Sequence, residues 1–236
     1  VDLRIRQDAL AGDLLGSHLA QFGGVDIEVS IATLEGGHIR LAEGRSDDLS
    51  LRMPEFVPDG PYPRAVVAIT TTDTSPDALA PGDADFRFGI DFWVDPVSAD
   101  RKLDNGDNML QRGLASDPSQ FKLELDRGRP NCRIAGSAGA VEVRAQEKVV
   151  PERWYRAECS RRGDDVVLTV TEFHQGSDPG QSVTTGHGAT GTVAWTRPEI
   201  PLALGGKLAA NGAVIRSATD QFNGRLANPE LIIDLA

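Results

Sequence analysis

Cysteine, histidine and positive charge are scarce in this chain, and each scarcity excludes something. The 236 residues hold two cysteines and four histidines. The histidines (His18, His38, His174 and His187) are dispersed, and no pair has metal-ligand spacing, which argues against zinc. Lys and Arg number 24 against 35 Asp and Glu, for a net charge of −11. A phosphate-backbone partner needs clustered cations, so a nucleic acid is not expected, nor is adhesion to an anionic membrane surface. No run of 18 apolar residues exists, so no transmembrane helix is expected. The chain starts at Val1, and residues 1–20 lack the apolar core of a signal peptide, as expected where a leader has been removed or the chain trimmed. No serine sits in a nucleophile-elbow pattern. Gly186, Gly188 and Gly191 do not link a strand to a helix, so they make no phosphate cradle. Internal repeats, low-complexity segments and long helical periodicity after residue 20 are all missing.

What is present is turn chemistry and a period of two. There are 25 glycines and 14 prolines, and the length suits one all-β sandwich as well as two smaller domains. It is long enough to bury a large core. Residues 7–20, with Leu10, Leu14, Leu15 and Leu19, fit either one short helix or a loosely packed N-terminal arm. From Val25 on, Val25, Ile27, Val29 and Ile31 alternate with polar residues, as in a half-buried strand. Ile39–Leu41, Leu49–Met53 and Ala65–Thr70 follow, with a connection of four prolines between Pro54 and Pro63. Residues 71–85 read as a loop within one domain, because neither side can close a sandwich alone.

The clearest strand is Phe86–Val94. Phe86, Phe88, Ile90, Phe92 and Val94 point one way; Arg87, Gly89, Asp91 and Trp93 point the other. Further strands are expected at Asn108–Arg112, Phe121–Leu125, Cys132–Ala135, Val141–Arg144, Trp154–Arg161, Val166–Phe173, Gly191–Ala194, Leu202–Leu204 and Leu226–Ile233. Turns are signalled at Asp126-Arg127-Gly128, Arg162-Gly163-Asp164-Asp165 and Ser177-Asp178-Pro179-Gly180. The spacing gives roughly fourteen strands in an all-β sandwich of residues 1–236.

Three stretches then come in a telling order: Pro151-Glu152-Arg153-Trp154-Tyr155-Arg156, Pro201-Leu202-Ala203-Leu204-Gly205-Gly206 and Asp220-Gln221-Phe222-Asn223-Gly224-Arg225-Leu226. In this order they resemble a laminin-G-like domain of the concanavalin-A-like lectin/glucanase superfamily, over residues 83–235. The resemblance implies an antiparallel jelly roll and no particular reaction. By alternation Cys132 and Cys159 both face inward, which leaves two inert thiols or a pair open. The resemblance, which extends to secreted actinobacterial laminin-G-like proteins, implies the Cys132–Cys159 disulfide. A disulfide in turn implies a secreted or cell-surface protein.

For catalysis, jelly-roll glucanases carry Glu-x-Asp-x-x-Glu on one strand. Glu124-Leu125-Asp126 supplies two carboxylates on one face, but the third position is Arg129. Tyr155, Arg144 and His174 are the residue types a polysaccharide lyase uses, yet no stretch resembles a lyase motif. The better constellation is Asp104-Asn105-Gly106-Asp107-Asn108, where Asp104, Asp107 and Asn108 offer the oxygen ligands calcium takes; a polar hairpin uses the same residues. The resemblance raises calcium, since laminin-G-like domains often carry it at a sandwich rim. After Phe222-Asn223-Gly224, however, Ala227 and Asn228 stand where the family often has an acid. The expectation is a non-catalytic extracellular module binding carbohydrate or protein, calcium-dependent or not. The alternative is a polysaccharide-degrading enzyme.

Overall fold

The computed structural model describes residues 2–4, 18–22, 25–45, 49–72, 77–97, 106–174, 179–197, 199–216 and 220–234, the first two stretches as backbone only. Among these residues the chain is all strand and loop. In chain order the strands are β1 (Asp2–Arg4), β2 (His18–Phe22), β3 (Val25–Leu34), β4 (Arg40–Glu43), β5 (Leu49–Arg52), β6 (Arg64–Thr71), β7 (Phe86–Val94) and β8 (Gly106–Arg112). Then come β9 (Gln120–Asp126), β10 (Arg129–Gly136), β11 (Gly139–Arg144), β12 (Trp154–Arg162), β13 (Asp165–Glu172), β14 (Gly180–His187), β15 (Leu202–Leu204) and β16 (Gly224–Ile233). They form two antiparallel sheets. Sheet A runs β14-β13-β12-β7-β16-β5-β4, with β1 also on β16; sheet B runs β11-β10-β9-β8-β15-β6-β3-β2. This is a jelly-roll sandwich, with seven strands in each sheet apart from β1 and β2.

Alternation places the core between the sheets. On β7, Phe86, Phe88, Ile90 and Phe92 are all fully buried, as the period-two pattern requires. Phe121 of β9 reaches them from sheet B, with ring centroids 5.6 Å from Phe86 and 4.9 Å from Phe88. Tyr155 stacks on Phe92 at 5.5 Å, and its hydroxyl accepts the Val150 N–H at 3.0 Å. Burial pushes that hydroxyl's pKa up. Tyr155 is thus a core residue and not a surface base. Cys132 on β10 and Cys159 on β12 are disulfide-bonded with Cα atoms 6.2 Å apart, within the range such a bridge spans. The bond staples sheet B to sheet A through the core.

The last third of the chain is shaped by two glycines. Gly205 has φ +83°, and a Cβ there would lie 2.1 Å from Met53 Cε; Gly224 has φ +152°, and a Cβ there would lie 2.1 Å from the Trp93 carbonyl oxygen. Both positions combine a backbone that L side chains avoid with no room for one. Between them Gln221 hydrogen bonds both main-chain groups of Ala65 and the carbonyls of Gly205 and Phe222. Residues 205–216 fold back over the outer face of sheet B. There Leu208 joins Val66, Ala68 and Ala203 in a small second apolar cluster.

Three expectations need correction. Gly191–Ala194 is not a strand; it makes only an isolated bridge, Gly82 to Val193. Its carbonyls are claimed piecemeal instead: Gly191 O accepts from the buried Arg161 at 2.7 Å, Thr192 O from the Ser137 N–H at 3.0 Å and Val193 O from the Gly82 N–H at 2.9 Å. Gly180–His187, expected to begin as a turn, is the eight-residue edge strand β14. Its period is hidden because both of its faces are largely exposed. At the N-terminus, His18–Phe22 pairs with β3, so the end of the expected helix or arm is strand; residues 7–17 lie outside the described residues.

Candidate functional site

The expected calcium loop is divided by the strand it belongs to. Asp104 lies outside the described residues. Gly106, Asp107 and Asn108 open β8, where Asp107 stands opposite Leu125 and Asn108 opposite Glu124 on β9. Successive strand residues face opposite ways. Asp107 turns toward a rim cavity of about 230 Å³, shared with Val94, Asp95, Leu125, Arg127 and Lys148. Asn108 turns to the outer face of sheet B, where its Nδ2 donates to Gly206 O at 3.0 Å. Asp107 and Asn108 thus offer their side-chain oxygens to different surroundings. Among the described residues no cluster of three or more His, Cys, Asp or Glu is arranged to hold a metal.

The outer face of sheet A carries a row of aromatic side chains that only the register reveals. Trp93 on β7 is opposite Trp154 on β12 and Arg225 on β16. Phe173, the residue after β13, donates its N–H to Trp154 O at 3.0 Å and extends the row. Phe173, Trp154, Trp93 and Arg225 therefore cross four strands side by side, all half-buried. Arg225 lies over the Trp93 ring at 4.8 Å and Arg45 over the Phe173 ring at 3.8 Å. Among the described residues no guanidinium covers Trp154 between them. Trp93 had been placed on this face by alternation; Trp154 and Phe173 joined it only through strand pairing.

One step along the strands, a charged network replaces the aromatics. Asp91 is almost fully buried although it points away from the core. It accepts from Arg156 Nη1 at 2.9 Å and from Asn228 Nδ2 at 2.9 Å, with Arg45 Nε at 3.8 Å. Arg156 Nη2 reaches Glu230 at 3.4 Å, and Arg87 Nε reaches the same carboxylate at 3.2 Å. The network sits on the β-bulge of β16 between Ala227 and Glu230. It fixes the floor beside the aromatic row.

Sheet B presents a different surface. Asn108, Glu124, Asn131 and Arg144 form one row across β8 to β11. Asn131 Nδ2 donates to Glu124 Oε1 at 3.1 Å and to Glu142 Oε1 at 2.9 Å. Two carboxylates thus meet on this face, as glycoside hydrolysis needs, but one amide fills the gap in which a sugar would sit. Lys122 pairs with Glu124 at 2.5 Å, and Arg144 pairs with Asp126 at 2.9 Å. Glu142 had no sequence signal as a site residue, since only strand pairing brings it to Glu124 through Asn131. His174 and His187 each pair with a nearby carboxylate, Glu172 and Asp165.

Two of the buried arginines, Arg112 and Arg161, tie loops together. Arg112 is wholly buried, with Asp77 bidentate at 3.0 and 2.8 Å, Ile200 O at 3.1 Å and the Trp195 ring at 4.4 Å. Burial lowers its pKa, partly offset by Asp77, and the guanidinium still stays charged.

No protein-family model matches the chain, and no curated protein does. Solved structures do resemble it. Domain 4 of AbnA, a GH43 extracellular arabinanase from Geobacillus stearothermophilus, solved in complex with arabinotriose, is 12% identical with a TM-score of 0.56. The match covers 89% of this chain and 83% of that one. The enzymatically active domain of tailspike protein 2 of bacteriophage CBA120 is 10% identical with a TM-score of 0.53, over 87% of this chain and 29% of that one. The LG1–3 region of the laminin alpha2 chain is 13% identical with a TM-score of 0.49, over 64% of this chain and 28% of that one. The chain thus spans under a third of the tailspike and laminin chains. What the arabinanase domain and the tailspike share with it is the jelly-roll fold.

Proposed function

We propose that this protein is a non-catalytic extracellular recognition module that binds carbohydrate on the outer face of sheet A. The observation that carries this reading is the row Phe173–Trp154–Trp93, in which, among the described residues, Trp154 carries no guanidinium between Arg45 and Arg225. A half-exposed indole offers a broad apolar face with a polar tip, suited to the C–H face of a sugar ring. Arg225 and Arg45 flank it with N–H donors for ring hydroxyls. The floor is held in place by the Asp91–Arg156–Glu230 network, so little ordering is needed on binding. The disulfide supports an oxidising compartment, hence secretion or the cell surface. The arabinanase domain, of like fold, was solved in complex with arabinotriose, which makes arabino-oligosaccharides the first ligands to try.

The test is titration calorimetry against arabinan, xylan and β-glucan oligosaccharides, following a glycan-array screen. Wild type is expected to bind at least one, and Trp154→Ala to lose about tenfold or more in affinity, as removal of about 1.5 kcal/mol of stacking implies. Unchanged affinity in Trp154→Ala, with its unfolding midpoint retained, would move the site off sheet A. Failure of every glycan to bind would end the carbohydrate reading.

A further inference from the structure

Asparagine followed by glycine occurs three times in the chain, at 105–106, 211–212 and 223–224. In each pair the side-chain amide carbon can close a small ring with the next main-chain nitrogen, and glycine has no Cβ to obstruct it. The fold makes the pairs unequal. Asn105 lies outside the described residues. Asn223 is 2% exposed, and its Nδ2 donates to Pro54 O at 2.8 Å. The carbonyls on either side of the Gly224 nitrogen are also engaged: Asn223 O accepts the Asp95 N–H at 3.0 Å and Gly224 O the Met53 N–H at 2.9 Å. A Cβ on Gly224 would lie 2.1 Å from the Trp93 carbonyl oxygen, so the backbone there has no room to move.

Asn211 has the opposite surroundings. It stands exposed at the tip of a hairpin over sheet B, in which Leu208 bridges Val214. Its Oδ1 accepts the Ala213 N–H at 3.2 Å, an Asx turn that folds the side-chain amide back along the main chain. That N–H is aimed at the oxygen on which negative charge develops when the amide carbon is attacked. Gly212 has φ +78°, and beyond its chain neighbours no heavy atom lies within 4 Å of where a Cβ would stand.

From this contrast we infer that Asn211 is a modification site, where the protein deamidates through a succinimide while Asn223 is spared. Hydroxide removes the Gly212 amide proton, and the freed nitrogen bonds to the Asn211 Cγ. The Cγ–Nδ2 bond breaks, and the amide group takes a proton from water and leaves as ammonia. Water then opens the ring. Attack at Cγ gives an aspartate; attack at the main-chain carbonyl gives an isoaspartate, in which the chain runs through the former side chain and gains a methylene. Gly212 N–H donates to Ala209 O at 2.9 Å, which holds the rate below that of the unfolded chain. Either product places a carboxylate on the hairpin. The isoaspartate also lengthens the turn that Ala209 N–H closes onto Ala213 O at 2.9 Å, beside the packing of Leu208 and Val214 on Val66, Ala68 and Ala203.

The experiment incubates the intact, disulfide-bonded protein at mildly alkaline pH in water enriched in heavy oxygen. Digestion in ordinary water and peptide mapping by mass spectrometry then separate this conversion from any during handling. Asn211 is expected to take up label at least about tenfold faster than Asn223, because attack at Asn223 waits on local opening. Denaturant should bring the two rates together. The native rate at Asn211 should rise with pH, since the attacking nitrogen has lost its proton. Gly212→Ala, whose methyl obstructs the nitrogen, should slow it several-fold, and Asn211→Gln should remove the product. Both changes lie on an exposed turn, and an unchanged unfolding midpoint confirms the fold. Equal labelling of Asn211 and Asn223 in the native protein overturns the site. So does an unlabelled Asn211 over the time in which the denatured chain converts both, or a full rate in Gly212→Ala. None of these outcomes depends on glycan binding.

Discussion

The guanidinium of Arg156 lies over Gly89, its Nη2 only 3.0 Å from where a Cβ on that glycine would stand. Glycine in the centre of β7 is costly for a strand. Here it lets a flat side chain cross from β12 to Asp91 on β7 and Glu230 on β16. The pair explains why a buried aspartate is tolerated on an outward face. Gly89→Ala is expected to lift Arg156 off Asp91, since the Ala157 carbonyl at 3.1 Å prevents the backbone from yielding instead. Partly unpairing that buried carboxylate costs about 1–3 kcal/mol, or roughly 3–10 °C in unfolding midpoint for a chain of this size. In an Arg156→Ala background the same substitution should cost far less. A wild-type midpoint for Gly89→Ala would show that the network carries no stability.

The Cys132–Cys159 bond closes a loop of 27 residues. In the chain-entropy treatment that is about 3–4 kcal/mol. The double variant Cys132→Ala/Cys159→Ala should unfold at correspondingly lower denaturant with a similar slope. Because both sulfurs are fully buried, the bond in the native protein should resist mild reductant until the fold is loosened. Rapid reduction under native conditions, followed by mass spectrometry, would contradict this.

No release of reducing sugar from common plant or bacterial polysaccharides is expected. Glu124 is engaged by Lys122 and Asn131, and Asp126 by Arg144. The third position of the glucanase pattern is Arg129, which pairs across from Asp126. Sugar release by wild type that vanishes in Glu124→Gln would promote the polysaccharide-degrading alternative over the recognition module.

His187 Nδ1–H donates to Asp165 Oδ1 at 2.8 Å across β13 and β14. That hydrogen bond, with the charge of the same carboxylate, raises its pKa above the usual value. A raised folded-state pKa stabilises the fold fully below the unfolded value of about 6.5 and loses that contribution as pH rises through the folded value. Both side chains are exposed, so the effect on stability is small. NMR titration should nonetheless find His187 titrating above an unperturbed histidine, and Asp165→Asn should bring it back. A His187 midpoint that ignores Asp165→Asn would mean the pair does not form in solution.

Why some elements were legible in the sequence and others not follows from what surrounds each strand. β7 was legible because one face meets a core and the other does not, so Phe86, Phe88, Ile90 and Phe92 alternate with polar residues. β14 was not, because Gln181 to Thr185 meets solvent on both sides and carries no alternation. Gly191–Ala194 misled because Val193 is buried in a loop, with its carbonyls satisfied by groups distant in sequence: Arg161, Ser137 and Gly82. The disulfide was reached through resemblance and inward-facing alternation together; neither gives a Cα distance.

The sequence by itself determined the all-β class, which residues face the core, and the glycines at 205 and 224 that shape the returning loop. Those are local consequences of side-chain period and backbone sterics. Only the tertiary structure decided what lies beside what. Cross-strand register set Phe173, Trp154 and Trp93 in one row, turned Asp107 and Asn108 to opposite faces, and joined Glu142 to Glu124 through Asn131. A surface site is made of neighbours across strands, and pairing partners are chosen by the whole sandwich rather than by the residues on either side in the chain.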